Sequence, residues 1–407
     1  MKGYCMMGVK AVNNTNLWFL ICFCILGVYV YGQEIEERLA IPYEMVPCPQ
    51  YLNGSIEPQG NFLPMEMAER VSTEKIAVLV DSELYPDFAT NISNYETDVE
   101  THFNVDLLIY NTSNYRNMSF EQVRTELQTI WHTEDIKGAV MVGFFPIMMY
   151  HVHGQGLTPM GQIIGYEDLD GTFYDDGYYT DDGSGMIFHE GSPDGVYDHH
   201  RWNDNGLEIW CAMIRPYQVS SYSTEYTTAV RDQLHDFFDR THAYYNGQTV
   251  IPRRGLAYTN YDWRWDGDNL EAILAQAYGS ENSVAYYGGR NCGYWFQEER
   301  ASGFEIAYLY SHSASWFHQF DRGMNHNVYN TELTKENGRG SVITYGFNCH
   351  GADFLETPTG CMGQRYAFGS ELGQAYVGCM ISTGVIGIIE QATMLKNGEY
   401  LGKAFYT

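Results

Sequence analysis

The chain has 407 residues, of which 44% are hydrophobic and 15% aromatic, so it can bury a large core and is globular rather than disordered. Its formal net charge is −28, which argues against a nucleic-acid partner because phosphate binding requires a basic surface. An acidic surface of this kind suits calcium, cationic substrates or solubility in salt.

An apolar run near the N-terminus is typical of an export signal. Residues 17–31, LWFLICFCILGVYVY, follow Lys2 and Lys10 and match the length of a signal-peptide core, which is short for a membrane span. We place the cleavage after Gly32, so that residues 1–32 are removed; an uncleaved anchor is the alternative. The sequence therefore predicts a secreted or cell-surface protein with no membrane span once the signal is removed.

Residues 33–70 are rich in proline and show little periodicity, which indicates an N-terminal lead-in or a pro-segment. Of the nine cysteines, three lie in the predicted signal and six remain, enough for three disulfides. If one of the six is a free nucleophile, at least one other is unpaired. Sequons for N-glycosylation, usable in a eukaryotic host, begin at Asn53, Asn91, Asn111 and Asn117.

The next part of the chain alternates between apolar strands and amphipathic helices. Ser119 and Gln122 form a capping box for one helix, whose apolar stripe runs from Phe120 to Trp131. This alternation predicts an α/β fold with a parallel sheet. The predicted elements are strands at 74–81, 105–110 and 138–144, helices at 95–103 and from 119, an Asp-, Gly- and Tyr-rich stretch at 165–204, and a returning strand at 208–217.

A second alternating set begins at Arg254, after an amphipathic helix over residues 225–245. We place a boundary near Gln218, which gives two α/β units, residues 71–217 and 218–407, each with a mainly parallel sheet flanked by helices. The predicted elements of the second set are strands at 255–261, 283–287, 303–311, 341–347 and 384–390 and helices at 270–278 and 364–380.

Two strands of the second set end in residues that carry chemistry. The segment GFEIAYLYSHSASW, residues 303–316, ends its strand at His312, and GSVITYGFNCHGADF, residues 340–354, stops at Cys349. The connection over residues 316–339 is long enough to make the two strands parallel neighbours. Because the carboxyl ends of parallel strands lie at one edge of a sheet, we expect the thiol and the imidazole there.

A thiol beside an imidazole is typical of a cysteine nucleophile. The cysteine attacks as its thiolate, and the imidazole serves as a base and then as an acid for the leaving amine. The backbone N–H groups of Ser313 and Cys349 are candidates to bind the oxyanion. On spacing alone, the alternative is a small buried cysteine at a strand end and a histidine on the surface.

Two motifs, YSHSASW (residues 310–316) and FNCHGADF (residues 347–354), resemble the paired signatures of gingipain-like cysteine peptidases of the caspase-like clan. The usual pattern is Gly-His-Gly-Ser with a tryptophan just beyond, and then Ala-Cys-x-x-Gly-x-Phe. The resemblance implies two caspase-like α/β subdomains. Four further segments extend it over most of the chain: KGAVMVGFFP, EDLDGTFYDDG, EIWCAMIRPY and GCMGQRYAFGSELGQAYVGCMISTGVIG.

The resemblance implies catalytic roles for three residues. Cys349 corresponds to the nucleophile, His312 to the acid and base, and Asp262 to the carboxylate that orients the histidine. The alternative role of Asp262 is that of a turn residue at a strand end.

The resemblance also implies a substrate pocket. Basic-specific members carry an acid there, which corresponds to Asp268 or Asp266, although Asp268 with Glu271 equally forms a capping box for a helix. The aromatic residues assigned to the same pocket are Tyr310, Phe347 and Trp316.

The sequence departs from the family pattern beside both catalytic positions. Ser311 and Ser313 stand where glycines flank the histidine, and glycine allows the close approach that such a turn uses. A serine there narrows the site or marks an inactive relative. His350, next to Cys349, is either a second base or simply polar.

The Asp-rich stretch is a second chemical signal, because oxygen ligands at alternating positions with turn glycines are typical of structural calcium. The stretch lacks the glutamate of an EF-hand, and a solvated acidic loop is the alternative. A zinc site is not predicted, since the histidines at 151–153 and 199–200 lack third and fourth ligands. The expected calcium ligands are Asp168, Asp170, Asp176 and Asp181.

Two functions from different classes fit these observations. The first is a secreted cysteine endopeptidase that acts on protein or peptide substrates through a Cys349 thioester, with a preference for basic residues before the cut. The second is a non-catalytic secreted relative that serves as a binding or structural subunit. The assembly state does not follow from the sequence.

Overall fold

A computed structural model describes residues 74–151, 159–181, 186–203, 206–218, 223–286, 293–320, 327–357 and 359–380. Over these ranges the fold is α/β, with mainly parallel sheets flanked by helices, as the sequence predicts. The predicted signal peptide, the lead-in segment and the strand predicted at 384–390 lie outside the described residues. No helix within the described ranges combines the length and apolarity that crossing a bilayer requires.

The first part of the chain forms one parallel sheet and several antiparallel pairs. Its helices are α1 (Tyr85–Phe103), α2 (Phe120–Glu134), α3 (Ile164–Glu167) and α4 (Thr228–Tyr245). Its strands are β1 (Glu74–Val80), β2 (Val105–Tyr110), β3 (Gly138–Val142), β4 (Met148–His151), β5 (Pro159–Gln162), β6 (Thr172–Tyr174), β7 (Gly177–Asp181), β8 (Met186–Glu190), β9 (His199–Arg201) and β10 (Trp210–Ile214).

The first sheet has the strand order β10-β3-β1-β2 and is buried on both faces. Successive side chains of a strand point to opposite faces. Ile76 and Val78 therefore pack in a core with residues of α1 and α4, whereas Ala77 and Leu79 pack in a core with residues of α2. This two-sided burial explains why β1 reads as a continuous apolar run rather than an alternating one.

The second part forms a five-stranded parallel sheet and a small antiparallel one. Its helices are α5 (Arg264–Tyr278), α6 (Gly293–Ala301) and α7 (Met362–Gln364), the last followed by a π-helical segment, Arg365–Gly369. Its strands are β11 (Gly255–Thr259), β12 (Ser283–Tyr286), β13 (Phe304–Tyr310), β14 (His312–Ala314), β15 (Phe317–Gln319), β16 (Val328–Tyr329), β17 (Ser341–Phe347) and β18 (Ala375–Val377).

The five-stranded sheet has the order β12-β11-β13-β17-β18, so β13 and β17 are parallel neighbours, as predicted. Their connection is more than a polar crossover. It includes β15 and β16, which form a three-stranded antiparallel sheet with β14. This small sheet begins at His312 and therefore adjoins the carboxyl end of β13.

The helix predicted over residues 364–380 is wrong. Its helical part ends at Gly369, and β18 begins at Ala375. A Cβ atom on Gly369 would lie 2.2 Å from a backbone carbonyl oxygen, and one on Gly373 would lie 1.8 Å from the carbonyl oxygen of Tyr366. Such a close backbone approach turns the chain back toward the sheet.

Two helix starts were placed too late, and one helix was missed. α1 begins at Tyr85, with Pro86 in its first turn, where the missing N–H of proline has no intrahelical partner to lose. α5 begins at Arg264, so the capping box predicted for Asp268 and Glu271 is wrong, because both residues lie inside the helix rather than at its start. The missed helix is α6, whose sequence shows no clear amphipathic stripe.

Side chains at the end of α7 and directly after it contact the segment that follows β10. Gln364 Nε2 donates hydrogen bonds to the carbonyl oxygens of Arg215 and Pro216, both at 3.1 Å. Arg365 Nη1 donates to Tyr217 Oη at 3.0 Å. These contacts connect the parts of the chain that form the two parallel sheets, and the boundary near Gln218 stays a prediction.

The capping box predicted at the start of α2 is confirmed. Ser119 Oγ accepts a hydrogen bond from the backbone N–H of Gln122 at 3.3 Å, and Gln122 Oε1 accepts one from the backbone N–H of Ser119 at 2.8 Å. The apolar stripe of the same helix is buried at Phe120, Val123, Leu127 and Ile130.

Replacing Ser119 by alanine should lower the free energy of unfolding by about 1 kcal/mol, because a helix N–H group loses its cap. Thr125→Ala is a matched control, since it removes only an exposed bond to the Glu121 carbonyl oxygen and should change stability by less than about 0.5 kcal/mol. Urea unfolding of protein made without glycans measures both, and equal stabilities for the two variants would contradict the role of the cap.

Candidate active site

The carboxyl ends of β13 and β17 meet at one edge of the second sheet. Tyr310 lies opposite Phe347 in the parallel register, and the backbone N–H of Ser311 donates to the Phe347 carbonyl oxygen at 3.2 Å. His312 and Cys349 each come two residues after this pair. The pairing therefore brings the histidine and the cysteine to the same sheet edge.

His312 is held by a carboxylate from a third strand end. Its Nε2 lies 2.7 Å from Asp262 Oδ2, and Asp262 belongs to a short 3₁₀ turn that follows β11. With the carboxylate accepting from Nε2–H, Nδ1 is the ring nitrogen that remains for a thiol. Asp262 thus occupies the position at which a carboxylate orients an imidazole.

The turn that carries Asp262 is fixed by Asn260, which is 1% exposed. Asn260 Oδ1 accepts from the backbone N–H of Asp262 at 2.9 Å, and Asn260 Nδ2 donates to the Gln319 carbonyl oxygen at 3.1 Å. The Asn260 backbone N–H donates to the Tyr310 carbonyl oxygen at 2.7 Å. Through its buried side-chain amide and its backbone N–H, Asn260 therefore joins the end of β11 to β13 and to the small antiparallel sheet around His312.

Trp263 forms an apolar wall beside the imidazole. Its ring centroid lies 4.7 Å from that of His312 and 5.7 Å from that of Phe347. The sequence reasoning did not assign this residue to the site. Its position directly after Asp262, in the segment AYTNYDW, is the signal that was available.

Cys349 is a free, half-buried thiol. Burial raises the pKa of the Cys349 thiol above its ordinary value. Within the described ranges no hydrogen bond joins Cys349 Sγ to the His312 ring, and such bonds commonly form only when substrate binds. The Cys349 thiol therefore needs a base to become a thiolate near neutral pH.

The residues around Cys349 form a tight loop. His350 has a left-handed backbone, with φ of 55°, and its Nδ1 faces Asp353 Oδ2 at 3.5 Å. The backbone N–H of Ala352 donates to the carbonyl oxygen of Cys379 at 3.0 Å, which places a second free cysteine beside the loop. Burial, together with the charge of Cys349, raises the pKa of Cys379 to about 12.

The two serines that depart from the family pattern are accommodated differently. Ser311 is 1% exposed, so its side chain is enclosed below the sheet edge. Ser313 Oγ lies 2.8 Å from the Ala314 carbonyl oxygen and 2.9 Å from that of Phe317, and it donates within this hairpin. The Ser313 hydroxyl is therefore occupied in the hairpin.

The residues assigned to the substrate pocket are only partly brought together. Tyr310 and Phe347 stack at 4.6 Å with 9° between their planes. Burial, with the charge of Asp266, raises the pKa of Tyr310 to about 12. Trp316 instead contacts Phe317 and Tyr329 in the small sheet. The side chain of Asp268 lies outside the described part.

The Asp-rich stretch gathers two of its four expected ligands. Ligand atoms of Asp168 and Asp170 lie within 4.8 Å of each other and of Glu208, which the sequence reasoning missed. Asp176 faces His199 instead, at 3.3 Å. The side chain of Asp181 lies outside the described part.

The Arg124 guanidinium already hydrogen-bonds to several backbone carbonyl oxygens of the Asp-rich loop. Asp168 is fully buried, and its two oxygens face the Gly171 N–H at 2.6 Å and His200 Nε2 at 2.5 Å. Arg124 donates at 2.8 to 3.0 Å to the carbonyl oxygens of Gly165, Asp168, Leu169 and Gly171. These carbonyl oxygens are ligands that calcium would otherwise use, so the site fits the ion mainly through Asp170 and Glu208.

Comparison with known proteins identifies the fold. No family model matches the chain, and no curated protein matches its sequence. The crystal structure of the Arg-specific cysteine proteinase gingipain R (RgpB) matches with a TM-score of 0.53 and 12% identity, covering 83% of this chain and 72% of that chain.

A complex of Porphyromonas gingivalis RgpB pro- and mature domains matches with a TM-score of 0.51 and 11% identity, covering 79% of this chain and 67% of that chain. At these identities the likeness establishes the fold alone. The chain has the gingipain-like, caspase-like fold, which confirms the resemblance at the level of architecture.

The raised pKa of Cys349 predicts how its alkylation depends on pH. Because only the thiolate reacts, the rate with iodoacetamide should rise about tenfold per pH unit below the pKa. Cys379, whose pKa is about 12, should react more slowly than Cys349 at each pH. Peptide mapping by mass spectrometry from pH 6 to pH 9 (roughly one pH unit per step) measures both rates. A rate for Cys349 that does not change with pH would show that an imidazolium overrides the effect of burial.

Proposed function

We propose that this chain is a cysteine endopeptidase in which Cys349 is the nucleophile and His312 the acid and base. The observation that supports the proposal most is the 2.7 Å contact between His312 Nε2 and Asp262 Oδ2, at a strand end that neighbours the strand of Cys349. Three adjacent strands thus contribute a carboxylate, an imidazole and a thiol in the order that a thiol hydrolase uses.

The proposed reaction proceeds through a thioester. The Cys349 proton passes to His312, and the thiolate attacks the scissile carbonyl carbon to give a tetrahedral oxyanion. The backbone N–H groups of Cys349 and Ser313 bind that oxyanion. His312 then protonates the departing amine as the C–N bond breaks, and water, deprotonated by His312, hydrolyses the thioester to a carboxylic acid and the free thiol.

Asp262 makes the first proton transfer possible. Burial raises the pKa of Cys349, which disfavours a free thiolate. A carboxylate beside the opposite ring nitrogen stabilises the imidazolium that forms when His312 takes the proton. In this mechanism Asp262 also holds the ring in the tautomer that presents Nδ1 to the thiol.

A basic side chain before the cut is the substrate feature that the site supports best. The charge of Asp266 acts on Tyr310, which stacks on Phe347, and an acid that acts at an aromatic surface suits a lysine or arginine side chain. The net charge of −28 attracts basic substrates generally. The matching gingipain R is itself described as Arg-specific.

A non-catalytic scaffold is the second candidate. It is favoured by the absence, within the described ranges, of a hydrogen bond between Cys349 and His312, and by the serines on both sides of the histidine. In either case the apolar segment at residues 17–31 supports export, and a protein or peptide is the partner that we propose.

Replacing Cys349 by alanine should abolish cleavage of peptides with arginine or lysine before the cut, a loss of at least about 10³-fold. Asp262→Asn should lower kcat by about 10²- to 10⁴-fold, because the tautomer of His312 is no longer fixed. Cys379→Ser is the control and should retain activity. A peptide-library cleavage profile measures all three, and full activity of the C349A variant would exclude the proposed mechanism.

We also propose structural calcium at Asp168, Asp170 and Glu208. Calcium at about 100 times its Kd should stabilise the fold by about 2.7 kcal/mol, which raises the unfolding midpoint by several degrees. Asp170→Asn should remove this calcium-dependent shift, whereas Asp176→Asn should leave it intact. Differential scanning calorimetry in calcium and in chelator measures the shift. An unchanged midpoint would mean that Arg124 closes the loop without an ion.

A further inference from the structure

We infer that four side chains beneath the sheet edge, His318, Tyr366, Tyr376 and Asn348, form one unit that positions the His312 loop relative to Cys349. We call these four residues the buried row. The inference rests on the proposed function, because it assigns positioning residues to that reaction.

At one end of the buried row, His318 contacts Ser313, the residue that follows His312. His318 lies directly opposite Ser313 in the β14–β15 hairpin and is fully buried. Its Nδ1 lies 3.0 Å from Ser313 Oγ. Because the Ser313 hydroxyl donates to a backbone carbonyl oxygen, it can only accept from His318, which fixes the proton of the imidazole on Nδ1.

His318 is neutral in this position. Burial lowers its pKa to about 3, so the ring does not titrate in the range in which the protein is folded and active. Its other nitrogen, Nε2, is buried and has no hydrogen-bond partner among the described residues. The ring therefore makes its specific polar contact with Ser313 and otherwise packs against aromatic neighbours.

The row continues through two stacked tyrosines. The His318 ring stacks on Tyr366 at 5.7 Å, with 20° between the planes, and Tyr366 stacks on Tyr376 at 5.6 Å, with 1° between the planes. Tyr366 comes from the π-helical segment after α7, and Tyr376 comes from β18. Offset stacking of this kind fixes both the distance and the tilt of the rings.

The row ends at the residue before the nucleophile. Tyr376 Oη donates to Asn348 Oδ1 at 2.8 Å, and Asn348 is 2% exposed. A Cβ atom on Gly351 would lie 2.2 Å from Tyr376 Oη, and one on Gly346 would lie 2.3 Å from it. The backbone on both sides of Cys349 thus closes around the tyrosine hydroxyl and leaves it no room to move.

These contacts connect the loops that the reaction must bring together. One end of the row holds Ser313, next to His312, and the other end holds Asn348, next to Cys349. Asn348 Nδ2, like His318 Nε2, is buried without a partner among the described residues. Apolar side chains of similar shape would avoid such orphans at no cost to stability, so packing alone does not account for the polar ends.

The test separates the effect of the hydrogen bonds at the two ends of the buried row from the effect of its ring packing. His318→Phe keeps a stacked ring but loses the bond to Ser313, and Tyr376→Phe loses only the bond to Asn348. We expect each to lower kcat by about tenfold or more, with KM changed by less than about twofold. Tyr345→Phe is the matched control, since Tyr345 is a fully buried tyrosine of β17 whose hydroxyl has no partner among the described residues.

Three further measurements decide the matter. His318→Asn keeps a donor near the Nδ1 position and should recover part of the kcat that His318→Phe loses. The double variant should lose less than the product of the single losses, because both act through one unit. The unfolding midpoint of His318→Phe should change little, since the Ser313 hydroxyl still donates within its hairpin. The midpoint of Tyr376→Phe should fall by a few degrees, because the Asn348 acceptor oxygen is left buried and unpaired.

Independent, multiplying losses in the double variant would overturn the inference, as would losses no larger than that of Tyr345→Phe. The alkylation rate of Cys349 by iodoacetamide at neutral pH supplies a readout that needs no turnover. It should fall in both single variants and not in the control. If the wild type cleaves no peptide, the proposed function fails, but this rate still tests the row.

Discussion

The parallel pairing of β13 with β17 is the constraint on which the rest of the site depends. Its register sets Tyr310 against Phe347, and the histidine and the cysteine follow at equal distances beyond that pair. The strands on either side of this pair supply further residues of the site: β11 leads to Asp262, and β18 carries Tyr376. A shift of one residue in this register would turn the side chains of β17 to the opposite faces of the sheet and separate the groups.

The central strands could be predicted from sequence because their β-branched and aromatic runs stop abruptly at polar residues that carry chemistry. The length of the connection between the His312 and Cys349 strands then implied that they are parallel neighbours. The match of Asp262 to a position of the gingipain-like pattern identified the carboxylate partner of His312. Trp263, His318 and Glu208 were missed, because their roles arise from tertiary contacts that no local pattern records. The failed helix over residues 364–380 has the same origin, since helical propensity was overridden by glycines packed against distant backbone.

The Asp-rich stretch shows why ligand spacing is a weak guide to a metal. Alternating aspartates and glycines look like an oxygen cage, but the fold brings Arg124 from α2 against the carbonyl oxygens of the same loop. His199 and His200 face two of the aspartates. Much of the loop is therefore already hydrogen-bonded to other side chains, and only Asp170 and Glu208 distinguish a calcium site from an acidic loop closed by arginine.

The energetic character of the site bears on the choice between an enzyme and a scaffold. The side chains of His312 and Asp262 are 34% and 38% exposed, and a contact between ionisable groups that is so open to solvent contributes little to stability. Burial of Cys349 and the orphaned polar atoms of Asn348 and His318 carry a free-energy cost instead. Some polar groups that do not stabilise the fold thus lie beside the Cys349 thiol, as expected where geometry serves chemistry. A scaffold would gain stability from replacing them with apolar residues, which supports our proposal of a peptidase over that of a scaffold.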